Sequence, residues 1–333
     1  ALSNGRDWWR PLDYLFRSTD LIHWEYLHPF VESDRFTLPG DDGACPYFWP
    51  IGNRHILLFF SHMSGGQALL GDYDTARDKF VASSHHKFNF GAYGPSGVHA
   101  PSAAPDGTGG VVVIFNMNQG KPTPGWDHIM TLPRRLTLLG PETLGVEPAG
   151  DVESLRGQHQ QVVDLTLPAN QEVVLAGIEG NAIEIGAEIE TGDASLVELN
   201  VLRSPGREEV TRIAFYRERG YWFYENYADE GRSGRKAARE SLLSIDTSYS
   251  STLPDVRSRA PETGPLFLQP GEPLRLRVFV DKSVVEVFAN GRQCLAVRVY
   301  PGRADSTGIS LRAQGQDALV TRLDVWQMED IYA

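Results

Sequence analysis

The sequence is poor in cysteine, and its two cysteines stand far apart. Cys45 and Cys294 are the only ones among 333 residues. A disulfide framework needs several cysteines, and a structural zinc site needs closely spaced pairs of ligands. The scarcity of cysteine therefore excludes a disulfide framework and a cysteine-rich zinc site. It gives no information on whether the protein resides in an oxidising or a reducing compartment.

Long apolar runs and positive charge are also scarce. No hydrophobic stretch approaches the roughly 20 residues that cross a bilayer as a helix, so no membrane partner is expected. The N-terminus has neither an initiator methionine nor a signal peptide, and we expect that the chain has lost an N-terminal part. The net charge of −12 repels phosphate backbones and argues against nucleic acid. Neutral ligands such as sugars stay open, and no motif predicts a cofactor.

Glycine and proline, in contrast, are frequent along the whole chain. The 33 glycines and 21 prolines separate short runs rich in Val, Ile, Leu, Phe and Tyr, which predicts an all-β protein. Long helical periodicity is missing. The polar stretch 236–243 is the one segment with a helical pattern, and a loop is the equal alternative. Because 333 residues exceed what one hydrophobic core usually holds, we expect two domains.

The first half contains a weak internal repeat. The run 56–61 matches the run 111–116, 55 residues later, and each follows a glycine-containing turn. In the same way Trp24, after the run 14–16 and a polar turn, matches Phe80, 56 residues later. A period near 50 residues that contains several short strands is typical of β-propeller blades.

The pattern changes near the middle of the chain. Residues 140–157 form a polar connection, and beyond it apolar and polar residues alternate, as in 274–280. Such alternation is typical of a strand with one wet face, and Asn290-Gly291 between two such runs predicts a hairpin. We therefore predict propeller blades with their linker over 1–156 and an antiparallel β-sandwich over 157–333.

Four segments carry recognisable motifs in a fixed order. They are residues 14–26 with their Ser-Thr-Asp-Leu turn, Ala44-Cys45-Pro46, Pro133-Arg134, and residues 281–288. Together they resemble glycoside hydrolase family 32. The first resembles that family's strand–turn–strand, the second its Glu-Cys-Pro block, the third the Pro-Arg that closes its propeller, and the fourth the signature of its C-terminal sandwich.

This resemblance covers nearly the whole chain and implies a fold and a chemistry. The implied fold is all-β: the C-terminal blades of a five-bladed β-propeller followed by a β-sandwich. The implied substrates are fructose-containing saccharides such as sucrose, inulin or levan. One carboxylate attacks the anomeric carbon of fructose, and a carboxylic acid protonates the leaving oxygen, so that configuration is retained. Transfer of fructose to a sugar instead of water is the alternative within the family.

The sequence departs from this family in two places. Neither the nucleophile's Trp-Met-Asn-Asp-Pro-Asn-Gly-like motif nor the substrate-binding Arg-Asp-Pro occurs in it, and we expect both to lie before Ala1. Ala44 stands where the family has its acidic glutamate. We therefore expect either a second polypeptide that carries the N-terminal blades or a defective pocket. A non-catalytic fructan-binding protein is the alternative that Ala44 favours.

Asp41 and Asp42 are the acid/base candidates that the chain itself offers. They lie in Pro39-Gly40-Asp41-Asp42-Gly43, and a solvated turn is the structural alternative. A general acid needs its pKa raised by burial or by a neighbouring carboxylate, and of the two we favour Asp42. Cys45, next to them, is expected to be a small buried packing residue.

Six side chains are candidates for contact with the sugar. Tyr47 and Trp49 alternate along one strand and can share a face as an aromatic platform, with Phe48 between them in the core. Two others lie near the N-terminus, and their alternative role is to pack against the preceding blades. The last two are residues that the resemblance places near the pocket. The full set is Trp9, Arg10, Tyr47, Trp49, His99 and Trp126.

Two further groups of charged residues are interpreted as structural. Asp281 and Glu286 alternate with valine in the sandwich, which predicts that they face solvent. His85 and His86 are expected to form a surface pair, because the sequence shows no third ligand to accompany them. No metal site is therefore predicted.

Overall fold

A computed structural model describes residues 1–7, 10–227 and 234–331. Within them every regular element is a β-strand, apart from one 3₁₀ turn at Val152–Leu155, so the all-β prediction is confirmed. Helix and loop were both wrong for residues 236–243, which belong to two strands. None of the described residues forms a helix long and apolar enough for a bilayer.

Contacts divide the chain into two units. The first contains Ala1–Val152 with Ala296–Arg298, and the second contains Glu153–Leu295 with Val299–Ala333. The domain boundary between residues 156 and 157 stays a prediction.

The first unit contains three sheets, each a propeller blade, and all but one of their strand pairs are antiparallel. The first blade has the order β1-β2-β3, the second β5-β6-β7-β8-β4, and in the third β9 and β12 flank β10, with β13 outermost. The parallel pair is β4 with β8. The strands are β1 Leu2–Asp7, β2 Arg10–Arg17, β3 Glu25–Pro29, β4 Val31–Glu32, β5 Ala44–Ile51, β6 Arg54–Ser61, β7 Gly65–Asp74, β8 Lys79–Lys87, β9 Val98–Pro105, β10 Val111–Met117, β11 Ile129–Met130, β12 Arg134–Gly140 and β13 Thr143–Pro148.

The internal repeat of the sequence corresponds to equivalent strands. The runs 56–61 and 111–116 lie in β6 and β10, and each of these strands pairs with the first strand of its blade on one side. Both strands bury apolar side chains, β6 over its last six residues and β10 at alternate positions. A core cluster of the second blade is built from buried side chains of β6, β7 and β8 with one from the segment between β3 and β4: Phe30, Leu57, Phe59, Leu69, Phe80 and Ala82.

The second unit contains two six-stranded sheets and a separate two-stranded ribbon. The sheets have the orders β14-β27-β16-β23-β24-β25 and β15-β26-β17-β18-β21-β22, and the ribbon pairs β19 with β20. The strands are β14 Arg156–Leu167, β15 Glu172–Glu179, β16 Ala182–Glu190, β17 Leu196–Arg203, β18 Val210–Tyr216, β19 Trp222–Tyr227, β20 Gly234–Arg239, β21 Leu242–Tyr249, β22 Glu262–Pro265, β23 Leu274–Asp281, β24 Val284–Ala289, β25 Gln293–Arg298, β26 Gly308–Gln314 and β27 Ala318–Met328.

Several local predictions for the second half can be compared with these strands. The hairpin is confirmed: Asn290 and Gly291 both have positive φ, 48° and 63°, between β24 and β25. The polar connection 140–157 was wrong as a continuous linker, because it contains β13, which pairs along β12. Glu286 is buried and not exposed to solvent, since β24 has a neighbouring strand on each side and is buried on both faces.

Candidate active site

The loop before β5 lies beside the end of β6 and carries both candidate acids. Ala44, the first residue of β5, pairs with Phe60 near the end of β6. Gly43 reaches this pairing with φ of +58°, a conformation that favours glycine. A Cβ at Gly43 would lie 3.2 Å from Oδ1 of Asp13, so the loop passes directly over that buried carboxyl group.

Asp41 is a buried carboxylate held by fixed donors. Its Oδ2 accepts a hydrogen bond from the backbone N–H of Leu38 at 2.8 Å, and its Oδ1 accepts one from the Ser64 hydroxyl at 2.7 Å. Burial by itself raises the pKa of Asp41, but hydrogen bonds from Ser61, Ser64, Leu38 and Gln67 outweigh it and lower the pKa. A carboxylate that releases its proton this readily is poorly suited to act as a general acid.

Asp42 has a different partner from Asp41, a histidine that directly follows β6. Its Oδ2 lies 2.6 Å from Nδ1 of His62, and its Oδ1 accepts the backbone N–H of His62 at 2.9 Å. The Asp42 side chain is 18% exposed and the His62 side chain 61%. Of the two aspartates, Asp42 is therefore the one whose hydrogen-bond partner, His62, is exposed to solvent.

Cys45 differs from the expected packing residue. Its side chain is exposed, and its φ is +52°. The pairing of β5 with β6 shifts register between Ala44 and Tyr47, and such a bulge re-aims the side chain at the irregular position. Burial, and then the charge of Asp42, raise the pKa of the Cys45 thiol, which keeps this thiol protonated at neutral pH.

The aromatic run of β5 alternates as predicted. Phe48 packs edge-on against Phe30, with ring centroids 4.8 Å apart, inside the core of the blade. Trp49, on the opposite face, donates its indole N–H to the carbonyl oxygen of Ala103 in β9 at 3.1 Å. Tyr47 is half-buried. Trp49 is thus fixed between two blades, while its use as a sugar platform stays a prediction.

His99, at the start of β9, joins Asp42 and His62 through a chain of rings. The centroid of its ring lies 5.6 Å from that of Phe60 and 5.8 Å from that of Tyr93. The His62 ring lies 4.7 Å from Phe60 and 6.4 Å from Tyr93. Two residues that the sequence analysis considered separately, Asp42 and His99, therefore belong to one cluster.

Two more polar side chains complete this cluster. The amide nitrogen of Asn116 lies 3.3 Å from Nε2 of His99 and 3.0 Å from Nδ1 of His128. Burial, and then the neighbouring His128, lower the pKa of His99. His99 is therefore neutral at physiological pH and can hydrogen-bond to a hydroxyl group without a charge.

The remaining candidates are less closely connected to the cluster. Trp126 is 45% exposed, and its carbonyl oxygen accepts a hydrogen bond from the Thr123 hydroxyl. Trp9 lies outside the described residues, and of Arg10 only the backbone is described, as the first residue of β2. The sugar contacts expected of these three residues stay predictions.

Asp13 is a titratable residue that the sequence analysis missed. It lies in β2, is 7% exposed, and its Oδ1 is buried without a hydrogen-bond partner among the described residues. Burial, and then the negative charge of Asp34, raise the pKa of Asp13 to about 7. The available signal was one acidic residue within the otherwise apolar run Pro11-Leu12-Asp13-Tyr14-Leu15-Phe16.

No group of three His, Cys, Asp or Glu side chains in the described ranges is arranged to hold a metal ion. His85 and His86 are half-buried and not a surface pair. Burial is the main cause that lowers the pKa of each to about 4. Nε2 of His85 lies 2.6 Å from Oε1 of Gln67, and Nε2 of Gln67 donates to the hydroxyl of Ser64, which donates to Asp41. His85 thus supports the Asp41 carboxylate.

Comparison with known families covers both halves of the chain. Residues 5–148 match the family model described as glycosyl hydrolases family 32 N-terminal domain. Residues 151–327 match the model described as glycosyl hydrolases family 32 C terminal.

Individual relatives agree with the family models. A levanase of Bacillus subtilis is 25% identical over 96% of this chain and 47% of its own length. A sucrose-6-phosphate hydrolase of Staphylococcus xylosus is 25% identical over 88% of this chain and 56% of its own length. The chain thus spans about half the length of these curated relatives.

A solved structure shows the same fold. Fructan 1-exohydrolase IIa of Cichorium intybus, in complex with 1-kestose, superposes with a TM-score of 0.81 at 16% identity. The alignment covers 99% of this chain and 69% of that one. The expected fold, propeller blades followed by a β-sandwich, is confirmed.

Proposed function

The chain belongs to family 32 of the glycosyl hydrolases, and from this premise we propose that it takes part in the cleavage of β-fructosyl linkages. The substrates are fructose-containing saccharides of the sucrose, inulin or levan type. Cleavage proceeds by double displacement with retention of configuration. The names of the levanase and the sucrose-6-phosphate hydrolase among its relatives support this substrate class.

One observation carries the proposal at the level of the site. Asp42 and His99, from different blades, lie in one cluster with His62, beside Ala44, where the family has its acid. Asp42 is the carboxylate of the acid/base site and Asp41 supports the loop, since fixed donors hold Asp41 in its charged form. Tyr47, Trp49 and Trp126 are the further candidates for sugar contacts, together with Trp9 and Arg10.

The nucleophile comes from residues outside these 333. The absence of its motif and of Arg-Asp-Pro from the sequence supports this assignment. A second polypeptide with the N-terminal blades, or residues joined to this chain upstream, would supply it. Without a nucleophile, a retaining glycosidase loses most of its rate.

A fructan-binding protein without catalysis is the second candidate. Ala44 favours it, because alanine has no proton to donate to the leaving oxygen. In that case the cluster around His99 binds a sugar and no bond is broken.

The test compares two proteins: the 333-residue chain and the same chain extended upstream in its own coding sequence. We expect the extended protein to release fructose from sucrose or inulin at least about 1,000-fold faster than the chain alone. Full activity of the 333-residue chain would contradict the external nucleophile. Binding of inulin by the extended protein, measured by calorimetry, without release of fructose would favour the binding protein.

A further inference from the structure

The Asp42–His62 pair lies where the lost glutamate would act. Ala44 pairs with Phe60 across β5 and β6, and continuing this antiparallel register by two residues places Asp42 opposite His62. The side chains meet there, with Oδ2 of Asp42 2.6 Å from Nδ1 of His62. The pair is thus two residues from the position at which the family resemblance places its acid.

The two side chains have different access to a ligand. Asp42 is only 18% exposed and uses both oxygens on His62, one on its ring and one on its backbone N–H. The His62 side chain is 61% exposed, and Asp42 binds the imidazole ring through its Nδ1. A carboxylate on Nδ1 fixes the orientation of an imidazole and leaves Nε2 as the nitrogen that exchanges a proton.

The surroundings of His62 suit a sugar-binding position. Its ring packs against Phe60, whose other ring neighbour is His99, and it lies near Tyr93. An aromatic floor with neutral hydrogen-bonding groups is the usual composition of a site that binds an uncharged, hydroxyl-rich ligand. A sugar bound by this cluster would therefore lie within hydrogen-bonding distance of His62.

We propose that His62, oriented by Asp42, is the general acid and base that replaces the glutamate missing at position 44. This inference rests on the proposed fructoside cleavage and refines the role of Asp42 there. His62 is the catalytic residue because its Nε2 meets the leaving oxygen, and Asp42 is the positioning residue. Histidine is the side chain that ordinarily exchanges a proton between about pH 5 and 8.

The proton balance follows the two steps of a retaining glycosidase. As the bond between C2 of fructose and the leaving oxygen breaks, its electron pair stays on that oxygen, which takes the proton from Nε2 of His62. The carboxylate nucleophile outside these residues forms a bond to C2. Water then attacks C2 and gives a proton to the neutral Nε2, and the C2–carboxylate bond breaks with its electron pair on the carboxylate.

The chain contains a matched control for this pair. Nδ1 of His23 lies 2.7 Å from Oδ2 of Asp20, and the backbone N–H of His23 donates to Oδ1 of Asp20 at 2.8 Å. The His23 side chain is 87% exposed, in the turn between β2 and β3. The control thus has the same Asp–His geometry outside the cluster.

The experiment uses the upstream-extended protein and its variants H62Q, D42N and H23Q. Turnover is measured on sucrose, whose leaving oxygen needs a proton, and on a nitrophenyl β-fructofuranoside, whose phenolate leaves without one. We expect H62Q to lower kcat/KM, which reports the first step alone, by about 100-fold or more on sucrose and by less than about 10-fold on the nitrophenyl substrate. D42N should show the same selectivity with a smaller loss, and H23Q should match the parent on both substrates.

Each outcome bears on the inference. An active parent whose H62Q variant loses sucrose turnover by less than threefold overturns the role of His62 and leaves the proposed function standing. Equal losses of kcat/KM on both substrates also overturn it, because the first step would then not depend on the proton that the leaving oxygen needs. A parent that cleaves neither substrate overturns the proposed function and this inference together. Retained nitrophenyl activity in H62Q also shows that the variant is folded.

Discussion

The first and second units each hold a carboxylate by donors from other segments of the chain, and they use it differently. In the second unit Glu209 is fully buried, and its oxygens accept hydrogen bonds from Thr252, Gly302, Arg303 and Ser306 at 2.6–3.1 Å. In the first unit, the Asp42 carboxylate is shared between one backbone N–H and one largely exposed imidazole.

This difference separates a structural carboxylate from one suited to chemistry. Burial by itself raises the pKa of Glu209, but the hydroxyl of Ser306 and three backbone N–H groups outweigh it and lower the pKa to about 2. Such fixed donors keep the group charged at all physiological pH values. The imidazole beside Asp42, in contrast, is largely exposed and can meet a ligand. The predictions below test this contrast.

The largest effect is expected for E209Q in the second unit. Glutamine turns an N–H₂ group toward donors that need an acceptor, so we expect a loss of about 4 kcal/mol in unfolding free energy at pH 7. The lowered pKa means that Glu209 contributes its stability above about pH 4.5 and loses it as the pH falls toward about 2. Urea unfolding followed by circular dichroism measures both.

The neighbouring residue provides the control for this change. Glu208 is half-exposed, accepts a hydrogen bond from the Ser204 hydroxyl and forms a long, exposed ion pair with Arg303 at 3.9 Å. E208Q should therefore leave the urea midpoint nearly unchanged. If E209Q had the same urea midpoint as the parent, the hydrogen bonds to the Glu209 carboxylate would not stabilise the fold.

The next effect concerns Asp13, a buried carboxyl without the donors that Glu209 has. The folded chain binds the Asp13 proton more tightly than the unfolded chain, since its pKa is raised from 3.8 to about 7. The stability that this proton provides is therefore complete below about pH 4 and is lost as the pH rises to about 7. D13N has no proton to lose, and it should exceed the parent by on the order of 3 kcal/mol at pH 8.

Urea titrations at pH 4 and pH 8 provide the internal control for D13N. The difference between variant and parent at pH 8 should shrink or reverse at pH 4, where the parent carboxyl is protonated. An equal difference at both pH values would mean that packing, and not the charge, decides the effect.

The smallest effect contrasts the two adjacent aspartates of the loop. D41N removes a buried acceptor from Leu38 and Ser64 and should cost about 2 kcal/mol at pH 7. Because the pKa of Asp41 is lowered, this cost should shrink as the pH falls below about 4. D42N loosens a pair whose histidine is exposed and should cost less than about 1 kcal/mol. Equal costs in urea unfolding would contradict the division of roles between them.

Local features were predictable wherever neighbouring residues specify the backbone. The repeated apolar runs identified β6 and β10, because short runs of Val, Ile, Leu and Phe after glycine-containing turns are typical of strands. Asn290-Gly291 identified a hairpin, because both residues tolerate the positive φ that its turn needs. Residues 236–243 were misread, because backbone pairing of β20 with β19 overrides a weak local preference.

The site was only partly predictable, for a physical reason. The sequence alone determined that position 44 has no acid, that two aspartates stand before it, and that the chain is built from strands. Only the tertiary structure decided that Asp41 is held by fixed donors while Asp42 meets His62, 20 residues away. Strand register and burial decide which polar atoms meet, and both depend on packing between distant segments, which the local pattern of residues does not specify.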